Sequence, residues 1–341
     1  ALLGIGKAMD ISEGVTAGAI ISGAYFGDKM SPLSDTTNLA PAMAGTDLIT
    51  HVKYMVLTTT PSMIITLLIF LGWGFTLDTL AGAADTQAVL KAIESSFDLN
   101  PLLFIVPVLV IFMIVKRVPA APALLLGALL GGLFAIIFQP DIVNQVSGIT
   151  DNYTKYSFIA VMNSLSVTVD IQTDHPMITE LLTYKGMSGM LNTIWLITCA
   201  MIFGGAMEAS GLLKVIAEGI IKWAHNTGSL VLATAATCIF FNVTASDQYM
   251  AIAIPGRMYR ETYRKRKYAP ELLSRTLEDS GTVTSVLIPW NTCGATQAGV
   301  LGVATVVYAP FCIFNIVSPF MTVLFAYLNI KIRRLDDTQE D

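Results

Sequence analysis

The sequence has few charged residues and very little histidine. Of its 341 residues only 13% are Asp, Glu, Lys or Arg, and three are His. An ordinary soluble domain carries about 25% charged residues, so this chain has too few polar groups to cover the surface of a soluble protein. The net charge of −5 shows no basic excess of the kind that binds nucleic acid. We therefore expect no nucleic-acid partner.

Cysteine is also scarce, and its positions show no pattern. Cys199, Cys238, Cys293 and Cys312 lie without the paired spacing of a disulfide framework or a zinc site. We interpret them as reduced thiols. No catalytic pair of side chains is found either, so the sequence predicts neither an enzyme nor a bound cofactor.

Long apolar segments are abundant. Hydrophobic residues make up 54% of the chain, and its mean hydropathy is +0.64. About 20 apolar residues cross a bilayer. The main candidate segments are Val56–Phe75, Leu102–Val115, Val118–Phe138, Met190–Met207, Ser229–Thr244 and Val303–Ile330. The sequence therefore predicts an all-α, multi-pass integral membrane protein.

Basic and acidic residues are separated along the chain. The basic clusters lie at 116–117, 257–267 and 331–334, whereas 77–100 and 139–189 are acidic. Because Lys and Arg mark cytoplasmic loops, we place the basic clusters inside the cell. This placement fixes the direction in which each apolar segment crosses the membrane. We expect an amphipathic segment at 212–224 to lie at the inner interface.

One apolar segment cannot cross completely under this topology. A full crossing after residue 229 would put the basic cluster at 257–267 outside. We therefore predict a re-entrant hairpin over 229–256, with its turn at the polar stretch 241–248. Non-helical backbone at membrane depth is tolerated where it is buried or lines a cavity.

The polar stretch 27–47 is the most unusual part of the sequence. It contains three aspartates, Pro32 and Pro41, and a run of hydroxyl and amide side chains. Proline disfavours a continuous helix, so the sequence predicts a helix interrupted near residues 34–38. Unwound carbonyls and polar side chains at such a break suit Na⁺.

A second stretch resembles the first. Residues 27–45 align with 281–299, and residues 1–9 resemble 251–259. The charge pattern makes the two units run in opposite directions, as in the inverted repeats of secondary transporters. Chance similarity between Gly- and Ala-rich helices is the alternative. Since only the second unit has a complete hairpin, we expect the natural protein to extend before residue 1 and to supply the missing part of the first.

This interpretation divides the chain into four parts. Residues 1–76 hold the end of a hairpin, a broken helix (14–50) and a helix (53–76), and 77–189 hold helices 101–115 and 118–138 with acidic outer loops. Residues 190–330 form the second repeat, with helix 190–209, interfacial helix 212–224, hairpin 229–256, broken helix 271–305 and final helix 306–330. Residues 331–341 form a cytoplasmic tail.

The aspartates in these segments are the candidate exchange groups. A carboxylate at bilayer depth costs about 2.5–3.5 kcal/mol and is by default a functional hypothesis. Na⁺ and H⁺ compete at such a group, so loading one expels the other. We rank Asp35 first, then Asp28, Asp247 and Asp279. The alternative role is capping of helix N-termini.

Three stretches resemble the NhaC family of bacterial Na⁺/H⁺ antiporters. They are "GAIISGAYFGDKMSPLSDTTNLAPAMAGTDLITHVKYM" (18–55), "YKGMSGMLNTIWLITCAMIFGGAMEASGLL" (184–213) and "LEDSGTVTSVLIPWNTCGATQAGVLGV" (277–303). The resemblance implies two inverted repeats, each with a re-entrant hairpin and an unwound helix, and cation/proton exchange in the bacterial inner membrane. One branch of the group takes up malate with protons and releases lactate with Na⁺.

The resemblance also implies two sites. The first would use Ser34, Asp35, Thr36, Thr37 and Asn38. The second would use Asn242, Thr244, Ser246, Asp247, Asn291, Thr292 and Thr296. The corresponding hypothesis for the cation places Na⁺ at Asp35, Asn38, Asp247 and Asn291.

Two transport functions remain open from the sequence. The first is an alternating-access Na⁺/H⁺ antiporter with Na⁺ and H⁺ as its transported ions. The second is a Na⁺-coupled exchanger of small carboxylates such as malate and lactate. A channel or a membrane enzyme is the third alternative. The lipid bilayer is the expected surrounding, and a homodimer is one option for the assembly.

Overall fold

The chain is described by a computed structural model that covers residues 2–32, 34–76, 91, 93–116, 118–148, 153–171, 179, 182–183, 186–222 and 224–335. Across these residues the named secondary-structure elements are all helical, and an isolated antiparallel bridge joins Tyr268 and Arg334. The all-α prediction is confirmed.

Sixteen α-helices can be numbered along the described part of the chain. They are α1 (Leu2–Ala8), α2 (Glu13–Met30), α3 (Asp35–Ala44), α4 (Leu48–Gly74), α5 (Ile105–Val115), α6 (Ala120–Phe138), α7 (Pro140–Ser147), α8 (Tyr153–Ser166), α9 (Gly186–Ala209), α10 (Leu212–Ile221), α11 (Thr227–Thr244), α12 (Gln248–Lys265), α13 (Pro270–Leu277), α14 (Thr292–Leu301), α15 (Thr305–Tyr308) and α16 (Ile313–Tyr327). A π-helical segment (Glu278–Thr282) continues α13, and 3₁₀ turns lie at Pro101–Phe104, Ser285–Leu287 and Ala309–Phe311.

Several helices are suited to a bilayer. Among the described residues, α4, α9 and α11 are long and apolar enough to cross one. Two further spans result if each bent pair counts as one: α6 with α7, which meet at 109°, and α14 with 305–311, which meet at 90°. The structure therefore agrees with a multi-pass membrane protein.

The chain divides into two compact units. The smaller comprises residues 8–10 and 79–192, and the larger the rest. In the smaller unit, α7 and α8 pack together in a region that the sequence analysis treated as an acidic outer loop. Both helices are too short and too polar to stand out as apolar runs, and they were therefore not predicted.

In the larger unit, α11 and α12 form an antiparallel hairpin. The hydroxyls of Thr237 and Tyr259 lie 2.8 Å apart, and those of Thr234 and Tyr263 lie 3.0 Å apart. The turn comprises residues 245–247, and Asp247 caps α12 by accepting hydrogen bonds from two backbone amides. The hairpin arms extend beyond the 229–256 expected from the sequence.

The two strongest basic clusters lie at the same end of the larger unit. The amide of Leu335 donates to the Lys267 carbonyl at 2.9 Å, and that of Ala269 donates to the Arg333 carbonyl at 3.2 Å. The Tyr54 hydroxyl donates to the Lys331 carbonyl at 2.9 Å, which adds the start of α4. We call this end the basic end.

Two helices of the larger unit are interrupted. The first ends at Met30 and resumes at Asp35, so residues 35–38 form the first turn of α3 rather than the centre of the break. The reason is that Ser34 occupies the N-cap position with extended backbone. Pro41 lies inside α3 and does not end it; Gly45, with φ of 89°, does.

The second interruption lies between Leu287 and Thr292. Asn291 is the N-cap of α14, and its side-chain oxygen accepts from the Cys293 amide at 3.0 Å. Gly294 packs against the interrupted backbone, where a Cβ would lie 2.0 Å from the Ile288 carbonyl oxygen. Gly302, with φ of 69°, ends the helix.

Candidate functional site

The two interrupted helices cross where their charged residues meet. Lys29, in the last turn of α2, forms an ion pair with Asp279 in the π-helical segment. One turn earlier on α2, the Tyr25 hydroxyl lies 3.5 Å from that of Ser285. Since 25 pairs with 285 and 29 with 279, the two segments run in opposite directions.

The carboxylate of Asp279 is fully buried and fully hydrogen-bonded. The Thr58 hydroxyl from α4 donates to its Oδ2 at 2.8 Å, and the Ser318 hydroxyl from α16 lies 3.3 Å from Oδ1. Ser318 also lies 3.1 Å from Lys29 Nζ, which is itself completely buried. Three helices therefore hold this ion pair in place.

Glu278, the neighbour of Asp279, has unused bonding capacity. Its side chain is completely buried, and Oε1 accepts from the Thr36 hydroxyl at 3.1 Å. Among the described residues, Oε2 has no hydrogen-bond partner, and neither has the buried hydroxyl of Thr282. Such orphaned buried oxygens call for an explanation such as a bound ion or a proton. Their location in a π-helical segment fits, because such segments occur frequently at functional sites.

These side chains leave an excess of negative charge. Two carboxylates, Glu278 and Asp279, lie close to one ammonium group, that of Lys29, whereas the nearby buried guanidinium of Arg275 lies against the Tyr54 ring. An uncompensated carboxylate in an apolar interior is so costly that it binds a proton or a cation instead. We call Lys29, Glu278 and Asp279 the buried charge cluster.

A polar cavity of about 340 Å³ is lined by Tyr25 and Asp28, which precede Lys29 on α2. Asp28, adjacent to Lys29 in sequence, is exposed to it. The wall is formed by Ala24, Tyr25, Asp28, Gln248, Thr292, Cys293, Thr296 and Gln297. It therefore carries one carboxylate, with amide, hydroxyl and thiol groups, and no Lys or Arg side chain.

The first predicted site is divided by the structure. Thr36 reaches Glu278, and Ser34 lies 3.1 Å from the Thr36 hydroxyl. Asp35 is exposed at the start of α3, where its Oδ2 accepts from Tyr249 at 3.4 Å.

The other two residues of that site close the helix break. Thr37 donates to the carbonyls of Asp28 and Lys29 at 3.2 and 3.1 Å. Asn38 donates to the carbonyls of Pro32 and Ser34 at 2.9 and 2.7 Å. Both side chains thus bond to backbone carbonyls that flank the interruption.

In the second predicted site, two buried asparagines join the hairpin to the second interrupted helix. Asn242 donates to the Gly281 carbonyl at 2.7 Å and to the Thr284 hydroxyl at 3.0 Å. Asn291 donates to the backbone and side-chain oxygens of Asn242 at 3.0 and 3.2 Å. Together with Asn242, it fixes the hairpin end against the interruption.

The hairpin turn adds further contacts. Ser246, with φ of 60°, accepts from the Thr292 amide at 2.9 Å. Asp247 Oδ1 caps α12, and its Oδ2 accepts from the Thr292 hydroxyl at 3.4 Å. Thr244 and Thr296 donate to carbonyls within their own helices. The structure thus brings Asn242, Ser246, Asp247, Asn291 and Thr292 together, whereas the hydroxyls of Thr244 and Thr296 bond only to backbone carbonyls one turn earlier in their helices.

Two residues of the buried charge cluster were missed by the sequence analysis. Lys29 pairs with a residue 250 positions away, which no local pattern reveals. Glu278 did leave a signal, because Arg275, Glu278 and Asp279 occupy one face of a helix in a charge-poor chain. Only Asp279 of these was selected.

Comparisons with known proteins identify a family of antiporters. The family profile described as "Na+/H+ antiporter family" matches residues 23–330. The chain is 38% identical to the Na⁺/H⁺ antiporter NhaC of Alkalihalophilus pseudofirmus, covering 97% of this chain and 69% of that protein. For NhaC of Bacillus subtilis the identity is 34%, covering 96% and 70%. The malate-2H⁺/Na⁺-lactate antiporter of Bacillus subtilis is 32% identical, covering 96% and 67%. No solved structure matches the chain.

Proposed function

This chain belongs to the Na⁺/H⁺ antiporter family, and we propose that it exchanges Na⁺ for H⁺ at the buried charge cluster by alternating access. The carrying observation is the pair of orphaned oxygens, Glu278 Oε2 and Thr282 Oγ1, beside an excess buried negative charge. One proton or one Na⁺ ion neutralises this charge. The two ions therefore compete for one place, and competition is what exchange requires.

Three side chains supply the oxygen ligands for Na⁺ in this proposal. They are the carboxylate of Glu278 and the hydroxyls of Thr36 and Thr282. Carboxylate and hydroxyl oxygens at an unwound helix suit Na⁺. Lys29 keeps Asp279 neutralised, so Glu278 is the group that changes its partner.

The residues selected from sequence have supporting parts in this proposal. Asp28, which lines the polar cavity, and the exposed Asp35 attract cations toward the cluster. The group at the hairpin turn (Asn242, Ser246, Asp247, Asn291 and Thr292) is a second proposed cation site. Most of its side-chain oxygens already accept hydrogen bonds, so we rank it below Glu278.

We also propose that the two interrupted helices are parts of an inverted repeat. The short helices α3 and α14 each have ten residues, an N-cap with extended backbone and a left-handed Gly at the C-cap. The interval from Ser34 to Asn291 equals that from Gly45 to Gly302. This interval is slightly longer than the interval from Gly27 to Gly281, two residues that the sequence alignment pairs. The helices that precede them run in opposite directions, as the ion pair requires.

The orientation in the membrane follows from charge. The basic end carries both strong clusters of Lys and Arg, and we propose that it faces the cytoplasm of a bacterial cell.

The polar cavity beside Asp28 supports a cation as the substrate rather than a carboxylate. Its wall contains no basic side chain to pair with malate or lactate.

The proposal is tested by Na⁺-induced proton movement in everted membrane vesicles. Glu278→Gln keeps the shape of the side chain and removes its charge, so exchange should fall at least about tenfold, as for other groups that move a proton. Glu271→Gln is the matched control, because it lies two turns earlier and pairs with Arg333 at the basic end. Full exchange in Glu278→Gln would refute the assignment, and exchange of malate without Na⁺ would refute the cation as substrate.

A further inference from the structure

Arg275 is a completely buried charge, in the described part of the chain, that the exchange proposal leaves unused. The side chain is completely buried, and none of its guanidinium nitrogens has a hydrogen-bond partner among the described residues. Its guanidinium carbon lies 4.5 Å from the centre of the Tyr54 ring. Arginine keeps its proton in proteins, so this position holds a permanent positive charge whose contact is an aromatic face.

Arg275 occupies a defined level between the basic end and the buried charge cluster. The helices α4 and α13 run in parallel, since His51 meets Ser274 at 2.8 Å and Thr58 meets Asp279 at 2.8 Å. Tyr54 and Arg275 lie between these two contacts. One helical turn rises about 5.4 Å, so Arg275 lies about one turn from Asp279 on the side of the basic end.

A cleft of about 780 Å³ opens at the basic end. Thr50 and Glu271 are among its lining residues, and each lies one turn before Tyr54 and Arg275 respectively. Arg333 also lines the cleft. It bonds to Glu271 at 3.2 Å, and its guanidinium carbon lies 5.5 Å from the Tyr54 ring centre. Tyr54 and Arg275 therefore lie about one turn beyond lining residues of the cleft, and Arg275 is completely buried.

We propose that Arg275 is a positioning residue that closes the cytoplasmic side of the exchange site to cations. A permanent positive charge in a poorly polarisable interior repels Na⁺ that approaches from the cleft. Na⁺ can pass only when α13 and α4 move apart, and this movement is the conformational step of alternating access. Arg275 thereby enforces the coupling between Na⁺ movement and H⁺ movement without binding either ion. This inference rests on the proposed exchange site at Glu278.

Charge is the property on which the inference depends. Arg275→Lys keeps the positive charge, whereas Arg275→Gln removes it. Arg333→Gln is the matched control, because it removes a positive charge near the same ring from the exposed side. Tyr54→Leu removes the aromatic face and serves as a second variant if Arg275→Gln does not accumulate in the membrane.

The test measures Na⁺ efflux and H⁺ influx together in proteoliposomes that contain the full chain. We expect the number of Na⁺ ions released per proton to rise roughly tenfold in Arg275→Gln and in Tyr54→Leu, as the repulsive charge is lost or displaced. Arg275→Lys and Arg333→Gln should keep the ratio of the unaltered protein.

A purely structural role predicts something different. Both fluxes would then fall in step, with an unchanged ratio, in Arg275→Gln and Tyr54→Leu, and this result would overturn the inference. Failure of the exchange site itself is recognised separately, because Glu278→Gln would then retain exchange whatever the Arg275 variants show.

Discussion

Lys29 and Asp279 form a completely buried ion pair that joins two interrupted helices of opposite direction. The pair fixes the crossing point of these helices, and it places the neighbouring Glu278 beside Thr36 at the start of α3. Asp279 is thus neutralised by the protein, and in the proposed exchange Glu278 binds the exchangeable ion. The account of transport depends on this division.

The ion pair has a predictable signature in stability. Removing one member of a buried pair leaves the other uncompensated and costs about 3–5 kcal/mol. We therefore expect Lys29→Met to lower the free energy of unfolding by that amount. The double variant Lys29→Met/Asp279→Leu should recover most of the loss, because replacing a buried pair by apolar groups is often neutral.

Thermal unfolding of the purified variants in detergent checks this prediction. Exchange should be absent in the single and the double variant alike. A double variant that is no more stable than Lys29→Met would contradict the proposed pairing.

The sequence analysis and the structure suggest different roles for Asp35. It ranked first among the candidates, yet its side chain is exposed and contacts Tyr249 at 3.4 Å. If it only attracts cations, Asp35→Asn should raise the apparent KM for Na⁺ a few-fold and leave the maximal rate unchanged, as expected for long-range steering. Exchange kinetics at low and high ionic strength provide the measurement. Loss of the maximal rate would restore Asp35 as a direct ligand.

Cys293 reports on the polar cavity. It is partly exposed and lines the cavity together with Asp28, whereas Cys238 and Cys312 are buried. A small hydrophilic thiol reagent should therefore modify Cys293 in a Cys199→Ser background. Na⁺ should slow this modification, while equal concentrations of choline should not. Labelling measured by mass spectrometry at the same rate with and without Na⁺ would argue against cation entry through this cavity.

Gly294 tests the geometry of the second interruption. A methyl group there would lie 2.0 Å from the Ile288 carbonyl oxygen, whereas Gly205 has open space around it. We expect Gly294→Ala to destabilise the protein by about 1–3 kcal/mol through overpacking, and Gly205→Ala to be tolerated. The unfolding temperatures of the two variants are the measurement that checks this prediction. Equal stability of the two variants would show that the interruption tolerates a shift of its backbone.

Much of the helical architecture could be predicted from local signals. The apolar runs indicated α4, α9 and α11, and charge parity indicated the hairpin of α11 and α12. The prolines and polar residues located the first interruption within a few residues, and the second lies inside the broken helix predicted over 271–305. The exact break after Met30 escaped prediction because the N-cap role of Ser34 depends on its backbone conformation.

The core of the site could not be found in the same way. Asp279 was selected as an intramembrane acid, but its pairing with Lys29 is a long-range contact that a single sequence does not encode locally. Lys29 looks like a polar residue of the interruption, and Glu278 looks like a second charge beside Asp279. Only the fold shows that one carboxylate is paired and that the other retains an unused oxygen.

The central claim is that a single excess negative charge at Glu278 is neutralised by either H⁺ or Na⁺. The most direct measurement is the release of protons when Na⁺ is added to the purified protein in weakly buffered detergent solution. The account predicts one proton released for each Na⁺ bound through competition at this carboxylate, and no release in Glu278→Gln. Binding of Na⁺ without proton release, or undiminished release in Glu278→Gln, would contradict it.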